Sequence, residues 1–384
     1  MRTWASFVAF ILLVLTVSGI LHFYLYERLL SLWAPSGFAL SALRLGVVLL
    51  VLSPMLARFL ERSAPRLYPA VWWAAAVWIG LAWYLLVLLL TGHLVESSAR
   101  LANLWPGNSA FRLSVGLPAF TALVISIYGI LQARRLPPVT ELTVLMRDLP
   151  EAADGLTLVQ ITDLHIGALI GPERTAAIVA QINALTPDVV VITGDLVDER
   201  PARLEAFVPV LAALRTRLGS FAITGNHEFY AGVRESMALM RRAGIRVLEN
   251  EGVELVPGLQ LVGIHDPMGA QVSDGRFFAG PEDFERILGP QAKTMPTIVL
   301  HHQPIHEEHF AALGADLMLS GHTHGGQVWP FGVLSRMRYP RVKGRYEVGD
   351  MTLYVSRGTG QWGPPMRFGA PLELVRVTLR KLAP

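Results

Sequence analysis

Leu158-Val-Gln-Ile-Thr-Asp163-Leu-His165 decides how the second half of this chain is read, because a short apolar run ends abruptly in two side chains that bind cations. The same arrangement recurs four times. Val189-Val-Val-Ile-Thr leads into Gly194-Asp195, Phe221-Ala-Ile-Thr into Gly225-Asn226-His227-Glu228, Thr297-Ile-Val-Leu-His into His302-Gln-Pro304, and Leu317-Met-Leu-Ser into Gly321-His322-Thr-His324. Runs of this length, rich in branched apolar residues and bounded by turn formers, read as buried strands. Helical patterns lie between them. From Glu173 to Leu185, apolar Ile178, Val179, Ile182 and Leu185 recur at helical spacing, with Pro172 at the expected first turn. From Glu141 onward the alternation predicts an α/β layered fold.

Each polar group stands at the C-terminal end of its strand. In open α/β sheets ligands bind in the crevice outside those ends, so one geometry can gather all five motifs. Carboxylates, an amide oxygen and imidazoles together suit divalent first-row metals. Asp163 and His165, like His322 and His324, stand two apart, so extended backbone would point each pair the same way and let it chelate together. Glycines before Asp195, Asn226 and His322 are expected to permit tight turns and close backbone approach. A lone Asp-x-His or His-x-His is weak evidence; five such groups, each after a strand, predict a metal site.

The first 140 residues obey different rules. They hold three acidic residues, Glu27, Glu61 and Glu96, of the 30 in the chain. The whole sequence is 52% hydrophobic and 16% charged, against roughly 45–50% and about 25% for soluble domains. Four apolar stretches, about residues 5–26, 37–57, 70–92 and 113–132, are long enough to cross a bilayer as helices. The first is longer than a signal-peptide core and lacks a clear small-x-small site, so it is expected to remain as a span. Arg44 is the one charge inside these segments; it either snorkels to the interface or faces a partner. Trp4, Trp33, Trp72, Trp73 and Trp105 fall near segment ends, as interfacial tryptophans do. The predicted organisation is a membrane domain over 1–135, a proline-stiffened connector over 136–140, and an α/β domain carrying the metal site over 141–384. A net charge of +3 without a long basic run argues against nucleic acid as a partner. With no cysteine, the chain has no disulfide, thiolate ligand or thiol nucleophile.

The motif set D-x-H, G-D, G-N-H-E, H and G-H-x-H resembles the calcineurin-like metallophosphoesterase superfamily, in its branch with an N-terminal membrane region. Asp154-Gly155, Gly321-His-Thr-His-Gly-Gly-Gln327 and Ser356-Arg-Gly-Thr-Gly360 extend the likeness, which covers about residues 141–382. It implies an α/β/β/α sandwich after four transmembrane helices, and a site for two divalent ions (Mn, Fe, Zn or Mg). Asp163, His165 and His324 would hold one ion, Asn226, His302 and His322 the other, and Asp195 would bridge them. A hydroxide between the ions would attack a phosphomonoester or phosphodiester. His227, the motif histidine that the family does not use as a ligand, would protonate the leaving oxygen or stabilise the phosphoryl group; its alternative role is to orient Asn226 or a water.

Other residues leave alternatives open. His301 precedes the ligand position and is expected on the opposite side of the strand. His306 and His309, beside Glu307 and Glu308, read as a solvated helix start rather than a third metal site. His265-Asp266-Pro267 occupies a turn where relatives often carry two acidic residues, a departure expected to alter the pocket's rim. Phe277 and Phe278 either dip into lipid or pack beneath their loop. Arg338, Arg341, Arg345, Arg357 and Arg367 are candidate phosphate or headgroup binders, with Arg357, inside the closing glycine motif, the preferred one.

The expected partners are the lipid bilayer and a phosphoester, with a lipid-linked or headgroup substrate favoured by the short connector. Two rival readings are a non-catalytic metal-binding scaffold, against which the complete ligand set argues, and a regulatory domain of a transporter or sensor, against which the plain membrane segments argue. Short-loop arginines predict orientation: Arg2, Arg58, Arg62, Arg66, Arg134 and Arg135 on one side outnumber Arg28, Arg100 and Arg112 on the other, placing both ends and the catalytic domain in the cytoplasm. A reporter fused after Pro384 is therefore expected to read cytoplasmic; an extracytoplasmic signal would reverse the orientation.

Overall fold

The computed structural model describes residues 4–32, 35–104, 108–272 and 275–382, without the side chains of 4–11 and 108–112. Trp33 and Trp105 therefore lie outside the described residues. The chain forms two compact units, residues 1–132 with 363–366, and 133–362 with 367–384.

The first unit contains helices α1 (Trp4–Leu30), α2 (Gly37–Ser63), α3 (Tyr68–Leu101) and α4 (Asn108–Ala133). All four are long and apolar enough to cross a membrane. The predicted third segment ends at Gly92, whereas α3 continues to Leu101. The extension is tolerated because Glu96 has partners. Arg28 lies 3.2 Å and Arg100 2.9 Å from its carboxylate, and Ser114 donates to it at 2.7 Å. Sequence assigns Arg28 and Arg100 to loops; both instead sit on helix ends, drawn to one buried acid. Arg44 donates to the Tyr26 hydroxyl at 3.3 Å and is exposed, and Arg58 stacks over Trp72.

The second unit is a sandwich of two six-stranded sheets. One is ordered β1 (Val139–Met146), β12 (Leu374–Lys381), β2 (Thr157–Ile161), β3 (Val189–Thr193), β4 (Gly219–Ile223), β5 (Arg246–Val247). The other runs β10 (Gly344–Val348), β11 (Met351–Val355), β9 (Leu317–Ser320), β8 (Thr297–His301), β7 (Leu259–Ile264), β6 (Glu251–Val256). Strand pleating divides the apolar residues between two faces. Val189 and Val191 pack between the sheets against Leu261, Leu300 and Leu319. Val190 and Ile192 face outward, where α5 (Pro172–Ala184) contributes Ile178 and Ile182, and, after the short α6 (Val208–Leu211) and α7 (Asn226–Ala231), α8 (Val233–Arg242) contributes Met237 and Met240. Phe284 of α9 (Pro281–Leu288) and Phe310 of α10 (Glu307–Ala312) cover the outer face of the second sheet. Because both faces of each sheet are covered, the central strands are continuous apolar runs.

The entry of the chain into this sandwich is set by strand direction. β1 runs parallel to β12, and β12 runs antiparallel to β2. The first residue of β1 therefore lies at the sheet end where β2, β3 and β4 finish. Arg174 of α5 donates to the carbonyls of Ala133 at 2.6 Å and Arg135 at 2.9 Å, and Gln181 donates to that of Pro137 at 2.7 Å. The connector is thus fastened to the second unit at the end where β2, β3 and β4 finish.

Asp316, just before β9, accepts the Thr297 amide at 2.8 Å. Burial and the nearby Asp148 and Asp350 push its carboxyl up to about 6. A folded-state value above the ordinary one near 3.9 means stability is full at low pH and declines as pH rises through about 6. Asp316→Asn keeps an acceptor for Thr297 and is expected to raise the melting temperature above pH ~6 while leaving it unchanged at acidic pH, as read by thermal denaturation across pH.

Candidate metal centre

All five motifs reach one site, at the C-terminal ends of β2, β3, β4, β8 and β9. The route differs from the one predicted. Asp163, His165, Asp195, His322 and His324 are not extended; all five have left-handed backbone, with φ of 52°, 53°, 52°, 71° and 50°. Each such residue costs about 1–3 kcal/mol, which the surroundings must offset, and strain of this kind clusters at functional sites. Pleat alternation consequently does not set where the pairs point. Asp163 and His165 still converge with His324, but His322 is separated from His324 and joins Asp195 and His302.

The glycines act chiefly through close approach. A Cβ on Gly225 would lie 2.2 Å from Asp195 Oδ1, and one on Gly321 would lie 2.0 Å from Thr162 Oγ1. Of the three glycines that precede ligands, only Gly194 also needs positive φ, at 91°.

Two groups of donors emerge, Asp163 with His165 and His324, and Asp195 with His302 and His322, each with ligand atoms within 4.8 Å of one another. Asp195 Oδ2 lies between them, 3.2 Å from His302 Nε2 and 3.8 Å from His165 Nε2. His227 also comes within 4.8 Å of His165 and Asp195. The surrounding bonds fix which imidazole nitrogens are bare. His302 Nδ1 donates to the Thr193 carbonyl at 2.8 Å, leaving Nε2 for a ligand. Tyr339 gives its one hydroxyl proton to Gln303 Oε1 at 2.9 Å, so it accepts from His322 Nε2 at 2.8 Å, leaving His322 Nδ1 bare. That nitrogen is 3.3 Å from His302 Nε2. Thr162 donates to Asp163 at 2.7 Å, and the His322 amide donates to the same carboxylate at 3.0 Å.

The residues fit cations. Asn226 Oδ1 is buried and accepts no hydrogen bond among the described residues, and an orphaned acceptor on the residue after Gly225, which closely approaches Asp195, is what a metal ion satisfies. The electrostatics agree. Burial would push Asp195 up, but His302, His227 and His165 hold it well below the usual carboxylate range. Burial and Asp195 push Asp163 up. Burial and the Arg367 guanidinium push His324 well down, and burial and His302 take His322 down to about 3. Against burial, Asp195 pushes His302 well up, but the neutral His322 and His324 still leave carboxylate charge for a cation to neutralise.

Sequence reading missed Asp198, which accepts from His227 Nδ1 at 2.8 Å and lies 3.7 Å from His165 Nδ1. A carboxylate three residues beyond Asp195 in the same turn was its signal. It also left Glu228 without a role; that carboxylate is fully buried and accepts the amides of Asp195 and Val197 at 3.0 Å and that of Gly225 at 2.6 Å. Tyr339 had no local signal.

Other expectations resolve as follows. His301 is buried on the far side, its Nδ1 2.7 Å from the Gln303 carbonyl and its ring against Phe310. His265 and Asp266 are buried; His265 bonds Thr224 and Asp266 accepts from Gln303. Phe277 packs under its loop against Phe229, whereas Phe278 is exposed. Glu307 is buried against Arg341, and His306 and His309 join no metal group among the described residues. Arg357 directs its guanidinium to Glu373 at 2.6 Å. Arg367 is fully buried, donating to the carbonyls of Arg357, His324 and Gly360 and to His324 Nδ1.

A family model described as calcineurin-like phosphoesterase matches residues 156–326. The transmembrane protein with metallophosphoesterase domain from Danio rerio is 34% identical over 295 residues, 74% of this chain and 67% of that protein. The chain belongs to the calcineurin-like phosphoesterase family. An uncharacterized metallophosphoesterase of Campylobacter jejuni is 34% identical over 276 residues, 71% of each chain. The chain thus spans about two thirds of the length of these curated relatives. Among solved structures, a dimetal phosphatase from Danio rerio aligns with TM-score 0.39 and 14% identity, over 59% of this chain and 99% of that one. This calcineurin-like phosphoesterase is accordingly a metal-dependent phosphoesterase with four apolar N-terminal helices.

His227 is raised above the ordinary imidazole range: burial opposes its charge, but Asp195, Asp198 and Glu228 more than compensate. Removing one of those charges in Asp198→Asn is expected to move the His227 titration to lower pH, read by imidazole NMR on metal-free protein; an unmoved titration would show that Asp198 does not set it.

Proposed function

We propose that this chain hydrolyses a phosphoester of a lipid headgroup or lipid-linked molecule at the cytoplasmic membrane surface, using two divalent ions (Mn, Fe, Zn or Mg). The observation that carries the two-ion reading is the pair of donor groups, Asp163 with His165 and His324 and Asp195 with His302 and His322, which meet where Asp195 Oδ2 lies 3.8 Å from His165 Nε2. Asp163, His165 and His324 would hold one ion, and Asn226, His302 and His322 the other, with Asp195 between them. Bound divalent ions supply Lewis-acid polarisation of the phosphoryl group and lower the pKa of water.

The chain's own residues do the rest. Tyr339 and the Thr193 carbonyl orient His322 and His302. Asp198 holds His227 through Nδ1, leaving Nε2 to carry a proton toward a leaving oxygen. His227 has a 12% exposed side chain, bordered by Tyr230 and Trp362, so it can meet both substrate and water. The membrane-surface reading is supported by the connector entering at the sheet end that bears the ligands. Arg357, paired with Glu373, is the candidate for substrate phosphate.

The test is hydrolysis by purified full-length protein loaded with each metal, on soluble monoesters and diesters and on lipid extracts, with metal content measured in parallel and Asp195→Asn as the blank. His227→Ala is expected to retain its metal while turnover falls at least about a hundredfold. Retained turnover would remove His227 from the reaction, and a single ion in a fully active enzyme would overturn the two-ion reading.

A further inference from the structure

We infer that the segment from Trp329 to Arg338 is a membrane-docking element that seats the rim of the metal site in an anionic lipid interface; the inference rests on the membrane-surface reading above. Five large apolar side chains within nine residues face outward: Trp329 is 53% exposed, Phe331 45%, Val333 57%, Leu334 48% and Met337 84%. They surround a single short helix, α11 (Phe331–Ser335), and form one patch rather than scattered exposures.

The basic residues complete the pattern. Residues 328–346 include no Asp or Glu. Arg341 pairs with Glu307 and Glu308, and Arg345 with Glu347. Arg336 and Arg338 are exposed, and neither meets a carboxylate among the described residues. Aromatic and aliphatic side chains interleaved with uncompensated arginines match an interface of acyl chains and anionic headgroups.

Position and tether favour lipid over another occupant. The next residue, Tyr339, bonds His322, so the patch is continuous with the rim of the site. Backbone bonds hold its start in place, since the Trp329 amide donates to the Phe368 carbonyl at 2.9 Å. The residues from Arg134 to Pro138, between α4 and β1, span less than ~20 Å even when fully extended, and they enter at this same end of the sandwich. A second copy of the chain is disfavoured, because a two-fold contact through this patch would bring Arg336 and Arg338 against their own equivalents. Docked in this way, the site would open at the depth of headgroup phosphates.

The absence of cysteine makes the test direct. Leu334→Cys, Met337→Cys and, as a control on exposed α9, Glu285→Cys each carry one environment-sensitive fluorophore in the full-length protein, reconstituted in phosphatidylcholine vesicles containing phosphatidylserine. Labels at Leu334 and Met337 are expected to be quenched by lipid-borne doxyl groups, and the Glu285 label is not. Arg336→Gln and Arg338→Gln in the same background should each weaken docking about fivefold, read as lost quenching. Labels no more quenched than the control would overturn the proposal. So would a blue-shifted label without lipid quenching, which would mean that protein covers the patch. Immersion is read without turnover, so an immersed but inactive enzyme would count against the reaction proposed above and leave the docking standing.

Discussion

The approach of His302 to Asp195, 3.2 Å between Nε2 and Oδ2, joins the two sheets at the point on which the site depends. Asp195 leaves the end of β3 in the first sheet, and His302 leaves the end of β8 in the second. Each is fixed from its own side. The Asp195 amide is held by Glu228 and its Oδ1 by the His227 amide, while His302 reaches across to the Thr193 carbonyl. Beneath them, Gln160 links the sheets again by donating to Thr193 Oγ1 and to the Ser320 carbonyl. The interior between the sheets is otherwise apolar, so these few polar links set the register of one sheet on the other where the chemistry occurs.

That arrangement concentrates charge which protein alone neutralises poorly. Asp163, Asp195 and Glu228 are buried, and burial with the Asp195 charge pushes Glu228 up to about 7. Imidazoles offset part of this, but His322 and His324 are driven toward neutrality by burial and by neighbouring positive charge. Buried ions cost several kcal/mol each unless paired. A metal ion would supply the missing charge, and the left-handed backbone at five of the candidate ligands holds their donors where hydrogen bonding alone would not draw them.

The membrane unit solves a different problem with the same rule. Glu96 is acceptable in an apolar helix because Arg28, Arg100 and Ser114 meet it. The connector is handled similarly, its carbonyls taken up by Arg174 and Gln181. Arg174 is a structural fastener that composition does not reveal, since its partners are backbone atoms of a segment about 40 residues earlier.

Much of this was legible in one dimension. Apolar runs ending in Asp, Asn or His gave the central strands, because a strand buried on both faces must be continuously apolar; the four long apolar stretches gave the membrane helices, because lipid tolerates little charge. The candidate donors were legible because few residue types bind divalent metals. The direction of each side chain was not. His322 and His324, two residues apart, part company through left-handed backbone, and Asp198, Tyr339 and Arg367 act through partners brought near only by the packing of strands and loops. Chemistry of residue types is local and therefore written in the sequence; orientation, burial and shared protons depend on two sheets meeting, and only the tertiary structure decides them.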